Sequence, residues 1–512
     1  MTNHSIFRSP LTRPFVWFFA SLSLLATLSP PGVTHDEMFH ATNIWCGQGE
    51  RAPFCSGIRF DVPSPGALVN FDLLTCQRDI QEPLECPSDG VGTSFRTVNH
   101  GNLYPTLPNS QHSTPFYFAL SWFVVPSAEA SFLLIRVVSV LLISVLFAAL
   151  VYLLPERHRN TVFLTIIFAM PSTGYFLFAS INPSSWAVFG VGFSWIAFHA
   201  AVGNRELASR RRRGLFCVGA VMSVMAVGSR WDAPGFLAYI LCLIGVMGAW
   251  KTFPERRSAI IGSGVASAVL MWVLLERFTP LSPMRFVGVL TSYTEGQPAN
   301  LEFFTSYLLL GVPNALEALG TVPTTSVVRI PDIVFLVNLT SLGAFLFFAR
   351  NRGSFVQIGG AVATLLLTTV VIMAQVDLID NRDNEGIEPR YSLPLLVFAV
   401  GWWFLNSPDL GNVRWLYRMR SVAWIVTAMF GLTALTFAER FTDHQSFRLR
   451  LLPEGPDQWW WSFLSIGPNA ALVMSVVCFA VFVHRSVDVL MAGQADVFLQ
   501  SAKETEPYQR HQ

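Results

Sequence analysis

Long runs of apolar residues separated by short polar segments dominate the chain. A helix crosses a bilayer with about 20 consecutive, mainly apolar residues. Such windows occur twelve times, at residues 14–31, 129–154, 160–181, 183–203, 214–230, 233–250, 258–277, 331–349, 354–376, 391–406, 421–438 and 464–484. The pattern therefore predicts an all-α polytopic membrane protein with about twelve transmembrane helices.

The composition excludes the other broad classes. Hydrophobic residues make up 52% of the 512 residues and charged residues only 13%, whereas a soluble domain has roughly 25% charged residues. Disorder requires low hydrophobicity and high net charge, and the net charge here is +1. Only the membrane class fits this composition.

The positions of the charges predict the orientation. One set of loops, which includes both termini, carries 20 Lys+Arg against 8 Asp+Glu, while the other set carries 13 against 25. The positive-inside rule places the first set in the cytoplasm. We therefore predict a single transmembrane domain over residues 1–486 and a cytoplasmic tail over 487–512. The first apolar run resembles a signal peptide, but it is long for one. Its removal would also break the alternation of basic loops between the two sides of the membrane. We therefore predict an uncleaved helix.

The predicted outer face carries most of the polar chain, in loops 32–128, 278–330 and 439–463. Four cysteines fall in the first of these loops: Cys46, Cys55, Cys76 and Cys86. In an oxidising compartment they predict two disulfides with three conceivable pairings. The small loops favour Cys46–Cys55 and Cys76–Cys86, and free thiols are the alternative.

Candidate catalytic residues follow the first predicted span directly. Asp36 and Glu37 are adjacent carboxylates at the predicted start of a new helix, where the helix dipole favours the ionised form. An ionised carboxylate facing a cleft suits a general base. Adjacent helical residues point about 100° apart, so one acid can face the cleft while the other braces a cation such as Arg136. A helix cap followed by solvated acids is the alternative interpretation.

Candidate substrate-binding residues lie near the same face. Arg136 is inside a predicted span and needs a carboxylate or phosphate partner, unless it snorkels to the headgroups. Arg390 beside Tyr391 suits a lipid-linked phosphate. Arg230 could bind phosphate or simply pair with Asp232.

His112 completes the substrate-binding candidates. It precedes an apolar stretch, 116–125, that is too short to span and predicts a helix lying flat at the outer interface. The acidic run 377–388 fits no calcium-loop pattern, so we predict no metal ligands and no cofactor. A divalent-metal requirement stays open.

The order of these motifs resembles that of a bacterial membrane family catalogued as domain of unknown function 2142, which belongs with the glycosyltransferases of the C superfold (GT-C). The resemblance covers about residues 14–406. The motifs are Asp36-Glu37 after a proline-bounded helix, Tyr104-Pro105-Thr106-Leu107-Pro108, Arg136 at the head of the second span, Asn182-Pro183, and Arg390-Tyr391 followed by Pro394. The sequence departs from the family in the position of the proline and histidine around Asp36, and in having Pro389 before Arg390.

The resemblance implies a GT-C-like fold and a sugar transferase of the bacterial plasma membrane. Its donor would be a polyprenyl-phosphate sugar, and its acceptor an envelope glycan or lipid at the outer face. The mechanism would be inverting, with Asp36 as the general base and Glu37 as the fallback. The alternative functions are a transporter or flippase of an amphipathic envelope precursor, and a non-catalytic assembly scaffold.

Overall fold

The computed structural model describes residues 11–29, 37–45, 69–70, 96–97, 114–252, 321–322, 328–329, 393–405, 413–442 and 461–509. Within these ranges, it does not describe residues 12, 126, 171–172, 205, 231, 462–463 and 465. The helices there are α1 Arg13–Leu25, α2 Glu37–Trp45, α3 Thr114–Ser121, α4 Ala128–Leu153, α5 Glu156–Ala169, α6 Thr173–Phe178, α7 Pro183–Gly203, α8 Ser209–Val227, α9 Ala233–Thr252, α10 Leu393–Leu405, α11 Val413–Thr442 and α12 Pro468–Gln509. Two antiparallel pairs of two-residue strands accompany them, namely β1 Val69–Asn70 with β2 Arg96–Thr97 and β3 Thr321–Val322 with β4 Val328–Arg329.

Three of these helices contain a segment long and apolar enough to cross a membrane. The segments are Ala130–Leu153, Pro183–Gly203 and Pro468–Ala492, and they coincide with three predicted spans. Shorter apolar helices at Arg13–Leu25, Ala233–Gly245, Leu393–Leu405 and Met419–Leu435 overlap four more. The chain is thus a helical membrane protein. Predicted spans 258–277, 331–349 and 354–376 lie outside the described residues, and the number twelve stays a prediction.

The structure divides the predicted span 160–181 into two helices. α5 ends at Ala169 and α6 begins at Thr173, and Pro171 lies between them. Proline lacks the N–H of a helical hydrogen bond and its ring clashes with the preceding turn. The hydroxyl of the buried Tyr175 donates to the carbonyl of Ile166 at 2.7 Å, which satisfies an acceptor near the end of α5. The break between α5 and α6 is therefore stabilised by a hydrogen bond across it.

Helices from distant parts of the chain pack together. α1 lies against α4 and α12, and α7 lies against α8 and α10. Where α1 meets α12, the Ser21 hydroxyl donates to the Ser475 carbonyl and the Ser475 hydroxyl donates to the Ser21 carbonyl, both at 2.9 Å. Small residues let helix backbones approach closely in a membrane protein. These reciprocal bonds fix the first described helix against the last.

An aromatic cluster fills the space between these helices. The rings of Phe430 and Phe479 stack at 3.9 Å, and Tyr175 meets Phe479 edge-on at 5.0 Å. On the other side, Phe18 packs against Phe147 at 5.5 Å and Phe482 at 5.0 Å. The cluster couples α1, α4, α6, α11 and α12.

Candidate functional site

The turn between α6 and α7 is the centre of a polar network. The side chain of Asn182 caps α7 by accepting from the Ser184 N–H at 2.9 Å, and Pro183 occupies the first helical turn. A capping Asn followed by Pro is a favoured way to begin a helix. Asn182 and Pro183 therefore have a structural role at the start of α7. Two buried ion pairs contact this part of the chain.

The first ion pair joins Glu37 at the start of α2 to Arg136 in α4. Arg136 Nε donates to Glu37 Oε1 at 2.8 Å, and Nη2 donates to Oε2 at 2.6 Å. Both side chains are 0% exposed. Two parallel N–H···O bonds fix orientation as well as distance. Arg136 therefore has the carboxylate partner that its position in a predicted span required.

Arg136 also binds the chain that follows α1. Its Nη1 donates to the carbonyls of Ala26 at 2.7 Å and Ser29 at 2.9 Å. The guanidinium carbon lies 5.6 Å from the ring centre of Trp461, whose indole N–H donates to the Thr27 carbonyl at 2.7 Å. At least four of the five guanidinium N–H groups are thus bonded to protein oxygens. Arg136 holds the end of α1 and the start of α2 in one fixed arrangement.

Glu37 has a second role in the turn between α6 and α7. Its Oε1 accepts from the backbone N–H of Ile181 at 3.0 Å, in addition to the bond from Arg136. The carboxylate is therefore held from two directions. Asp36 precedes Glu37 in the chain and lies outside the described residues.

The second ion pair contacts Ser184, which follows the turn in the chain. Arg230 Nε donates to Asp232 Oδ1 at 2.8 Å, while Nη2 bonds to Oδ2 of the same carboxylate. Arg230 Nη1 donates to the Ser184 hydroxyl at 2.8 Å. The pair is buried, with Arg230 7% and Asp232 1% exposed. The sequence left Arg230 between a phosphate ligand and the partner of Asp232, and the structure places it in the pair.

Helix α3 is attached to the same network. The Phe116 N–H donates to the Gly228 carbonyl at 3.0 Å, and the Phe116 ring meets Trp186 edge-on at 4.9 Å. A Cβ at Gly228 would lie 2.8 Å from Pro115 Cβ, so this contact requires glycine. Trp186 in turn donates to the Ser139 hydroxyl at 3.0 Å, one turn after Arg136 on α4.

A bond between two side chains joins α2 to α3. His40 Nδ1 and the Tyr117 hydroxyl are 2.9 Å apart, and both side chains are buried. The apolar stretch 116–125 had predicted an interfacial helix, and the observed helix is Thr114–Ser121. This helix contacts α2, the start of α7 through Trp186, and the turn between α8 and α9.

The structure brings three predicted site residues together at one turn, namely Glu37, Arg136 and Arg230. Asp36, His112, Arg390 and Tyr391 lie outside the described residues, and their roles stay predictions. Four residues contribute contacts that their sequence pattern did not predict: His40, Tyr117, Ser184 and Trp461. The run Trp459-Trp460-Trp461 before the last predicted span was the available signal for Trp461, because such aromatics often mark membrane boundaries.

Within the described residues, no three His, Cys, Asp or Glu side chains form a group that could hold a metal ion. Cys217, Cys242 and Cys478 are free thiols. The four cysteines of the predicted disulfides lie outside the part of the chain that the structure describes, so the pairing stays a prediction.

The helices and their buried polar network define a helical membrane protein. The chain belongs to the family described as predicted membrane protein, domain of unknown function 2142, whose model matches residues 19–399. The family suggested by the motifs is therefore confirmed. No curated protein and no solved structure matches this chain significantly.

Proposed function

We propose that the protein is a membrane glycosyltransferase of GT-C type. It transfers a sugar from a polyprenyl-phosphate donor to an envelope glycan or lipid acceptor at the outer face of the bacterial plasma membrane. The end of the bundle that holds Glu37, Arg136 and Arg230, here called the Arg136 end, faces outward, and both termini are cytoplasmic. The motif order and the alternation of basic loops support this arrangement.

The observation that carries the proposal is that the Glu37 carboxylate is held in place by hydrogen bonds. Its carboxylate is bonded to Arg136 and to the Ile181 N–H, so the start of α2 is anchored immediately after Asp36. A general base must be held in a defined position relative to the proton that it removes. We therefore assign the base to Asp36 and a positioning role to Glu37. The adjacent acids thus divide the two tasks.

In the proposed reaction, the acceptor hydroxyl attacks the anomeric carbon and its proton moves to Asp36. The bond from that carbon to the carrier oxygen breaks, and the polyprenyl phosphate leaves with the electron pair. A cation near the leaving phosphate stabilises its growing negative charge. Arg136 and Arg230 are already bonded to carboxylates. We therefore assign the phosphate to Arg390, with Tyr391 and His112 beside the substrate.

The test is transfer activity of the purified full-length protein with a panel of labelled polyprenyl-phosphate sugars and envelope acceptors. Asp36→Asn keeps the size of the side chain but cannot take a proton, so the rate should fall about 10²- to 10⁴-fold. Asp488→Asn makes the same chemical change at a side chain that is 46% exposed in α12, and should leave the rate unchanged. An Asp36→Asn variant as active as the natural protein would contradict the assignment.

The same preparation separates the other two functional classes. Reconstituted vesicles that move the labelled carrier between leaflets without forming product would identify a transporter or flippase. A protein that neither forms product nor moves the carrier, but retains envelope proteins during purification, would be a scaffold. Either result would overturn the glycosyltransferase proposal.

A further inference from the structure

The opposite end of the bundle, here called the Arg211 end, brings together two basic segments that are far apart in the sequence. Arg211 in the first turn of α8 donates to the carbonyls of Leu153 and Leu154 at the end of α4, the latter at 2.6 Å. A Cβ at Gly214 would lie 3.1 Å from Leu153, so α8 approaches α4 closely here. The first turn of α8 is thereby placed beside the corner between α4 and α5.

A second arginine at this end has an equivalent role. Arg157 in the first turn of α5 donates from Nε to the carbonyl of Leu405, the last residue of α10, at 3.0 Å. The last carbonyls of a helix have no partner within the helix and carry partial negative charge. Arg157 and Arg211 therefore both act as caps for the ends of neighbouring helices.

Arg159 lies in the same corner but differs from these two. Its Nε is buried and has no hydrogen-bond acceptor among the described residues. Burial lowers the pKa of Arg159, Glu156 raises it, and the nearby charge of Arg211 lowers it. A buried N–H without an acceptor is costly, and more so when it belongs to a charged group. An anion bound here would satisfy both the N–H and the excess positive charge.

The first turn of α8, which Arg211 places beside this corner, is basic and open to solvent. Arg210, Arg212 and Arg213 are exposed there, and the turn contains no acidic residue. Residues 153–159 and 206–213 together contain six arginines and two acids, Glu156 and Glu206. Such an excess of one charge attracts anions.

We propose that Arg159, with Arg212 and Arg213, binds the phosphate group of an anionic membrane lipid at the Arg211 end. α4, whose last turn Arg211 caps, contains a membrane-length apolar segment that ends at Leu153, so lipid headgroups lie at this level. Guanidinium groups bind phosphate through paired N–H donors. Clusters of four to eight basic residues beside a span are typical of anionic-lipid sites. The site is independent of the proposed sugar transfer.

The test is a lipid titration of the full-length protein in neutral detergent, read as the apparent melting temperature. Phosphatidylglycerol should stabilise the natural protein more than phosphatidylcholine does. In Arg159→Gln the apparent Kd for phosphatidylglycerol should rise about fivefold or more, since a basic side chain near anionic lipid is worth ~1 kcal/mol. The control is Arg485→Gln, because Arg485 is 58% exposed in α12 and should leave the Kd unchanged.

A double variant and a comparison with inorganic phosphate complete the test. Arg212→Gln with Arg213→Gln changes only exposed side chains and should also weaken phosphatidylglycerol binding, even if Arg159→Gln folds poorly. Inorganic phosphate at millimolar concentration should stabilise the protein less than the lipid does. An equal effect of phosphate would overturn the lipid source, and a Kd that is unchanged in all Arg159, Arg212 and Arg213 variants would overturn the site.

Discussion

The two ends of the helical bundle use arginine in opposite ways. At the Arg136 end, Arg136 and Arg230 are buried and bonded in pairs to the carboxylates of Glu37 and Asp232. At the Arg211 end, Arg157 and Arg211 bond to backbone carbonyls at the ends of helices. About 25 Å of helix α4 separates Arg136 from Leu153, at 1.5 Å per residue. Arg136 also bonds to the carbonyls of Ala26 and Ser29, so the difference between the two ends lies in the buried carboxylates of the Arg136 end.

This difference has an energetic consequence. Removing one partner of a buried ion pair leaves an uncompensated charge and costs about 3–5 kcal/mol. Removing a cation from a helix end typically costs only about 0.3–1 kcal/mol. The Arg136 end should therefore be much the more sensitive to single substitutions.

The largest effect is expected for Arg136→Met. This substitution leaves the Glu37 carboxylate buried beside an apolar side chain, so the free energy of unfolding should fall by about 3–5 kcal/mol. The measurement is denaturant unfolding in detergent micelles, with Arg485→Met as an exposed control. Adding Glu37→Gln to Arg136→Met should recover part of the loss, because the buried charge is then gone. A double variant whose loss is the sum of the two single losses would show that the residues do not interact.

A smaller effect is expected at the second ion pair. Ser184→Ala removes an acceptor of Arg230 and leaves a buried N–H with one bond fewer, which should cost about 1–3 kcal/mol. Ser194→Ala on the same helix is the matched control, since the buried Ser194 hydroxyl has no hydrogen-bond partner among the described residues. The same unfolding measurement should show almost no loss for the control. Equal losses for both variants would mean that the bond to Arg230 contributes nothing.

A third effect, which grows gradually as the pH falls, concerns the Arg211 end. His158, which precedes the predicted span 160–181, has its Nε2 3.0 Å from Nδ1 of His199. Burial, His199 and Arg157 lower the pKa of His158 from 6.5 to about 3. The unfolded chain therefore binds a proton below pH 6.5 that the folded protein does not bind until near pH 3. The free energy of unfolding should fall by up to about 1.4 kcal/mol per pH unit below 6.5.

His158→Gln tests the origin of this pH dependence. Unfolding measured from pH 7.5 to pH 5 should show a shallower loss of stability for the variant than for the natural protein. Ser184→Ala, at the other end, changes no ionisable group and should lower stability by a similar amount at every pH in this range. An unchanged slope in His158→Gln would assign the pH dependence to other groups.

Much of the fold could be predicted from hydropathy. Where the predicted spans and the observed helices differ, the difference has an identifiable cause. The membrane-length segments in α4, α7 and α12 coincide with predicted spans because each is a long apolar run. The window at 160–181 contains Pro171 in its sequence, and proline disfavours a helix through its stereochemistry rather than through polarity, which hydropathy does not detect. α8 begins at Ser209, before the predicted span 214–230, because a hydropathy window rejects Arg210–Arg213 although arginine forms helices well.

The site was predictable only where a buried charge demanded a partner. Arg136 in an apolar run required an anion, and the adjacent acids after the first span were the suggested source. The choice of Glu37, rather than Asp36, as its partner depends on the direction of the helix start and could not be read from two neighbouring acids. The contacts of Trp461 with Arg136 and Thr27 join residues more than 300 positions apart. No local pattern encodes such contacts.

The contact between α1 and α12 has a consequence for the order of assembly during synthesis. Ser21 exchanges its two hydrogen bonds with Ser475, and the carbonyl of Thr27 accepts from Trp461. A chain that enters the membrane from its N-terminus makes α1 long before these partners exist. The packing of α1 against α12, and the contact of Trp461 with Arg136, are therefore completed among the last steps of biogenesis. Until then, other helices, lipid or the insertion machinery must cover that side of α1.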